Sequence, residues 1–227
     1  MPGTKAKVQY EDLGELLERL GGISPSRICL DPFPGTATKR DLLRKHGRPR
    51  KLYELVENTL VEKPMGSPES HVASRLIGRL EMFLDANDIG FLYAPDALIE
   101  IMPQLVRGPD VSFVSWDQRP ERTVPTEPIS RLVPDLAVEV LSPSNTRREM
   151  QDMIGEYFLG GVRLVWAINP ETRTAEVYTA PGAPTAIPAD GTLGGGEVLP
   201  GFALPLATLF AKLPAAVAKK PAKRKKT

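Results

Sequence analysis

Apolar residues recur at helical spacing in some stretches of the chain and at every second position in others, and this contrast sets out most of the elements. Val72, Leu76, Leu80, Phe83 and Leu84 form one stripe that predicts a helix running to about Asn87. Ser67-Pro68-Glu69 opens it, with Ser67 as the expected N-cap and Pro68 in the first turn. Leu13, Leu16, Leu17 and Leu20 predict an earlier helix that stops at Gly21-Gly22 and docks from outside the core. Residues 23–38 are proline-rich and aperiodic, so they read as a connector to a short helix at 39–46. The stretch 53–62 suits a hairpin with its turn at Asn58. Strands are expected at 91–94, 97–101, 110–115 and 135–141, then a helix at 146–159 and strands at 162–168 and 174–179. Asn169-Pro170-Glu171-Thr172 is the turn between the last two, and Gly194-Gly195-Gly196 reads as a flexible turn. This order implies an α/β or α+β fold with helices packed on a mixed central β-sheet.

A chain of 227 residues suits one sizeable domain with appendages. Its divisions are read as residues 1–38 for the first helix and connector, 39–213 for the core, and 214–227 for a basic tail. A hydrophobic fraction of 41% and a charged fraction of 25% are ordinary for a soluble protein, and no apolar run is long enough to span a bilayer. The single Cys29 and the lack of an apolar leader point to a reducing, cytoplasmic location. The net charge of +1 conceals a tail carrying Lys219, Lys220, Lys223, Arg224, Lys225 and Lys226; without these six, 23 basic residues face 28 acidic ones. Such a tail is expected to be disordered, and either solubilises the chain or contacts a polyanion. A second basic cluster between residues 39 and 51 includes Arg48, Arg50 and Lys51 and is open to the same two readings, a solvated face or a phosphate contact.

Chemistry is concentrated in two segments, Gly108-Pro109-Asp110-Val111 and Val133-Pro134-Asp135-Leu136-Ala137-Val138-Glu139-Val140. In the second, alternation sends Leu136, Val138 and Val140 to one strand face and Asp135, Ala137, Glu139 and Leu141 to the other. A carboxylate within an apolar strand is costly to bury unless it is paired, so Glu139 needs a partner. A magnesium (or manganese) ion held by Glu139, by Asp110 from the neighbouring strand and by a backbone carbonyl such as that of Val140 would meet the need. Such an ion suits phosphodiester hydrolysis, since it activates water and offsets charge at phosphorus. The competing reading is that these acids cap turns or pair with buried arginines.

Tyr53-Glu54-Leu55-Val56, the two acid-bearing segments, Gly161-Val162-Arg163-Leu164-Val165-Trp166-Ala167-Ile168-Asn169-Pro170 and Leu199-Pro200-Gly201-Phe202 together resemble the Uma-type restriction endonuclease family over residues 39–213. The resemblance implies a PD-(D/E)XK core, a magnesium-dependent active site and a DNA substrate, with Asp110 and Glu139 as the paired acids and Asp135 and Tyr157 as supporting residues. It also implies a lysine on the helix after Glu139, four residues before the tyrosine. Here Met153 stands at that position. Gln151, Arg147 or Arg148 then becomes the expected substitute, and loss of a well-placed acid-base group costs roughly 10² to 10⁴ in rate. The alternative is a catalytically inactive nucleic-acid-binding module that retains the fold; a third is an interaction protein whose acids are merely neutralised. His71, Glu69 and Glu62 are edge candidates for phosphate or metal, or packed and solvated residues. Cutting both strands of a duplex with one site per chain would favour a homodimer.

Overall fold

The computed structural model describes residues 9–48 and 51–214. Its elements in chain order are α1 (Leu13–Arg19), α2 (Lys39–Lys45), β1 (Leu52–Val56), β2 (Thr59–Lys63), α3 (Ser67–Ala86), β3 (Gly90–Tyr93), β4 (Ile99–Met102), β5 (Leu105–Arg107) and β6 (Val111–Ser115). Then follow β7 (Leu136–Val140), α4 (Arg147–Gly160), β8 (Leu164–Asn169), β9 (Thr174–Tyr178), β10 (Thr185–Ile187), β11 (Thr192–Gly194), β12 (Ala203–Pro205) and α5 (Leu206–Leu209). A six-stranded sheet in the order β10-β9-β8-β7-β6-β3 is mixed, because β7 and β8 run parallel while its other pairs are antiparallel. The parallel pair needs a crossover, which α4 supplies.

One face of this sheet carries Val111, Phe113, Leu136, Val138 and Val140 against Val72, Leu76 and Leu80 of α3. Fully burying a side chain of this kind contributes roughly 1.5–3 kcal/mol, so the stripe on α3 anchors it firmly. The opposite face carries Ala137 and packs on Met153, Ile154 and Tyr157 of α4. Leu16, Leu20, Ile23 and Ile28 from the N-terminal segment join that same cluster. A smaller sheet, β2-β1-β5-β4, lies on this side. Its Val56 and Val61 enter the cluster beneath α4, while Leu55, Leu60 and Val106 cover a separate core with Leu42 of α2.

The β1–β2 hairpin turns at Glu57 and Asn58, both in the left-handed region at φ 48° and 54°, as a tight hairpin requires. Thr146 caps α4 through a reciprocal bond pattern with Glu149, and Gly161 at φ 107° ends it. Three expectations shift. The cap of α3 is Gly66, one residue before Ser67. Residues 105–107 form a strand too short to show a period. The glycine run at 194–196 ends β11 and opens the link to β12, with Gly195 packed so closely on Leu199 that a side chain there would collide with it. No helix among the described residues is long and apolar enough to cross a membrane. Arg50 and the tail residues Lys219, Lys220, Lys223 and Arg224 lie outside the described residues.

Candidate active site

Pairing of β6 with β7 sets Val111 opposite Val138, so Asp110 arrives beside Glu139 at the edge of the ladder. Two bonds hold it there: the Asp110 amide donates to the Val138 carbonyl at 2.9 Å, and the Val140 amide donates to Asp110 Oδ2 at 2.6 Å. Asp110 and Glu139 are both buried, at 3% and 4% exposure. They look across at the hairpin, where the register pairs Leu52 with Lys63 and Glu54 with Val61, setting Glu54, Val61 and Lys63 on the face turned to the large sheet.

Lys63 closes the gap between the acids. Its Nζ lies 3.0 Å from Asp110 Oδ1 and 3.0 Å from Glu139 Oε2, and donates to the Gly108 carbonyl at 2.5 Å. The other Glu139 oxygen accepts from the Tyr157 hydroxyl at 2.5 Å. A second ionic layer adjoins: Arg107 donates to Glu54 at 2.7 Å and to Glu156 at 2.5 Å, and Glu54 also accepts from the Gly108 amide at 3.0 Å. Gly108 is thus held through its amide by one layer and offers its carbonyl to the other.

Four carboxylates here face two cations, and the charges respond. Burial raises the Glu139 carboxyl and Lys63 opposes the rise; with Asp110 and Glu54 adding to it, the group is pushed up to about 7. Burial alone would lower Lys63, but Asp110, Glu139 and Glu54 outweigh it and hold the ammonium charged. Glu54 stays below its ordinary value because Arg107 and Lys63 overcome its burial. Burial and the facing Glu139 both raise Tyr157, which keeps its proton and donates it.

The cluster is therefore short of positive charge, and its hard oxygen donors suit a divalent ion that keeps several waters. Among the described residues no three His, Cys, Asp or Glu side chains form a ligand group. Magnesium needs only one or two carboxylates, so Asp110 and Glu139 fit it, sharing their oxygens with Lys63.

The other sequence-predicted residues are placed differently. Asp135 shares the strand face of Glu139 but sits at the far end, where its Oδ2 accepts from the Ser115 amide and from Gln118, both at 2.9 Å, and Arg163 approaches its Oδ1 at 3.4 Å. It buttresses a loop and does not touch Glu139. Met153 is buried in the apolar cluster with Ala137 and Tyr157. Gln151 is exposed and lines a separate cavity with Leu141, Ser142 and Asn145, so it does not join the acids. Of the basic cluster, Lys51 pairs with Glu62 at 2.6 Å and Arg48 is exposed. Glu62 is thereby occupied, and Glu69 is buried and turned back over Gly66. His71 lines a cavity of about 680 Å³ with Lys51, Lys63, Ser67 and Ser70, and its Nε2 is buried without a partner.

Lys63 was missed by sequence reasoning. Alternation along 59–63 places it on the face of Val61, the only local hint that it points inward. Which acids it meets depends on pairing between two sheets, which no short window of sequence encodes.

A mixed sheet covered by helices, with paired acids at the edge of two adjacent strands, defines a restriction-endonuclease-like fold. Residues 41–207 match the Uma2 family, described as "Putative restriction endonuclease", and the chain belongs to that family. A crystal structure from Anabaena variabilis, titled as a putative nuclease belonging to DUF820, superposes with a TM-score of 0.65 at 20% identity, covering 76% of this chain and 97% of that one. Among curated proteins no match is found. Family and fold together support a nuclease, of a type that generally uses divalent metal ions.

Proposed function

We propose that the chain is a magnesium- or manganese-dependent endonuclease that hydrolyses DNA phosphodiester bonds at Asp110 and Glu139. The observation that carries this reading is the convergence of both carboxylates, from adjacent strands, on a single cation position that Lys63 reaches at 3.0 Å from each. When bound by these acids, a divalent ion would supply an activated water and charge neutralisation at phosphorus. The protein's own part is to fix the acids: the Val140 amide orients Asp110 and the Tyr157 hydroxyl orients Glu139. Hydrolysis forms a bond from water oxygen to phosphorus and breaks one ester P–O bond. The departing oxygen takes a proton from solvent, and the proton lost by the attacking water returns to solvent.

A second reading, a nucleic-acid-binding module without cleavage, is favoured by the same lysine, which already pairs with both acids. Nicking of supercoiled plasmid with magnesium or manganese separates the two. Wild type should nick, EDTA should stop it, and Asp110→Asn and Glu139→Gln should lose it. DNA binding without nicking at any metal concentration supports the module and sinks the enzyme. A parallel assay with RNA fixes the substrate, and sedimentation with duplex DNA reports whether two copies assemble.

A further inference from the structure

We propose that Lys63 is the catalytic cation of this site and that the cavity beside it seats the substrate phosphate. This rests on the metal-dependent nuclease reading and extends it.

Four observations support the assignment. Lys63 is the only cationic side chain among the described residues that contacts both Asp110 and Glu139. The other buried cation nearby, Arg107, is spent on Glu54 and Glu156. Lys63 also lines the cavity of about 680 Å³ that holds Lys51, Ser67, Ser70 and His71, so one residue borders both the acids and open space large enough for a phosphodiester. The position the resemblance reserves for a lysine is filled by Met153, whose side chain is buried in the apolar cluster and carries no charge. The cation therefore comes from β2 and not from α4.

Lysine is a compact charge on a flexible four-carbon stem with three donors. Lys63 directs its three donors to the Gly108 carbonyl, Asp110 and Glu139; with a divalent ion on the two acids, it would turn the donors they now take to a phosphate oxygen at the cavity wall. It acts by charge and hydrogen bonding on the phosphorane oxygens, and it keeps its protons throughout. Electrostatic groups of this kind, placed where charge grows in the transition state, are worth roughly 10² to 10³ in rate.

The test compares wild type, Lys63→Met, Lys63→Arg and Asp110→Asn for plasmid nicking, for manganese affinity by calorimetry and for melting temperature. Lys63→Met should lose roughly 10²-fold or more in nicking, yet bind manganese at least as tightly as wild type, because the competing ammonium is gone. Lys63→Arg should recover part of the nicking. Nicking by Lys63→Met at the wild-type rate overturns the proposal. So does joint loss of nicking and manganese affinity in a folded Lys63→Met, which would make the residue structural. If wild type itself neither nicks nor binds manganese, the nuclease reading fails and the role of Lys63 falls with it. Loss in Asp110→Asn alongside full activity in Lys63→Met sinks only the latter.

Discussion

Replacing Glu139 by Gln is expected to make the protein more stable at the pH where it is also disabled. The Glu139 carboxyl is pushed from 4.5 to about 7 in the folded chain, because it is buried among other acids. Each unit of such a shift corresponds to roughly 1.4 kcal/mol, so forcing the group to ionise costs the fold about 3 kcal/mol. The sign follows from proton binding. Between pH 4.5 and about 7 the folded state holds this proton more tightly than the unfolded chain, so the group's contribution is fully present at low pH. It is lost as pH rises through that window. Gln cannot ionise, keeps nearly the same shape and still accepts from Tyr157. Urea denaturation of wild type and Glu139→Gln, run from pH 4 to pH 8, should give curves that meet at the acid end. They should separate by about 2–4 kcal/mol above pH 7, with the variant more stable. A variant equal to or weaker than wild type at pH 8 would refute the reasoning.

Two further outcomes follow from the same network and its supports. Arg107→Met should cost about 3–5 kcal/mol in urea denaturation, because it strands Glu54 and Glu156 without their buried partner; adding Glu54→Gln should return part of that loss. Gly21→Ala should lower the melting temperature, because Gly21 sits at φ 76° and a Cβ there would lie 2.6 Å from the Glu149 backbone. Its effect should be largest on limited proteolysis of α1, whose end packs against the start of α4.

Much of this architecture was legible because its signals are local. The stripe on α3, the Asn58 turn and the alternation through Glu139 each occupy one short window, and the elements appear within a residue or two of where they were expected. Asp110 and Glu139 were legible for a related reason: a charged group in an apolar strand is conspicuous by its cost. What stayed hidden depended on distance and direction. Asp135 has the right face of the strand but the wrong end, since four residues of strand separate it from Glu139 by roughly 13 Å. Gln151 lies on the right helix but on its exposed side. Met153 is uncharged and buried in the apolar cluster, while the lysine that contacts both acids comes from β2, a placement that depends on which element the fold brings to the strands. The ion pair that fastens Arg27 to Glu149, at 2.7 and 3.0 Å across more than a hundred residues, was equally invisible.

The hairpin register has a sharper consequence than its role in packing suggests. Strand β2 ends Val61-Glu62-Lys63, with neighbouring side chains on opposite faces. A slip by a single residue would rotate the ammonium outward and deliver Glu62 in its place, converting a pair of acids bridged by one cation into three crowded acids. Correct alignment is thus enforced by electrostatics as well as by greasy contacts, and the same pairing error that would empty the site of its cation also carries an electrostatic penalty for folding.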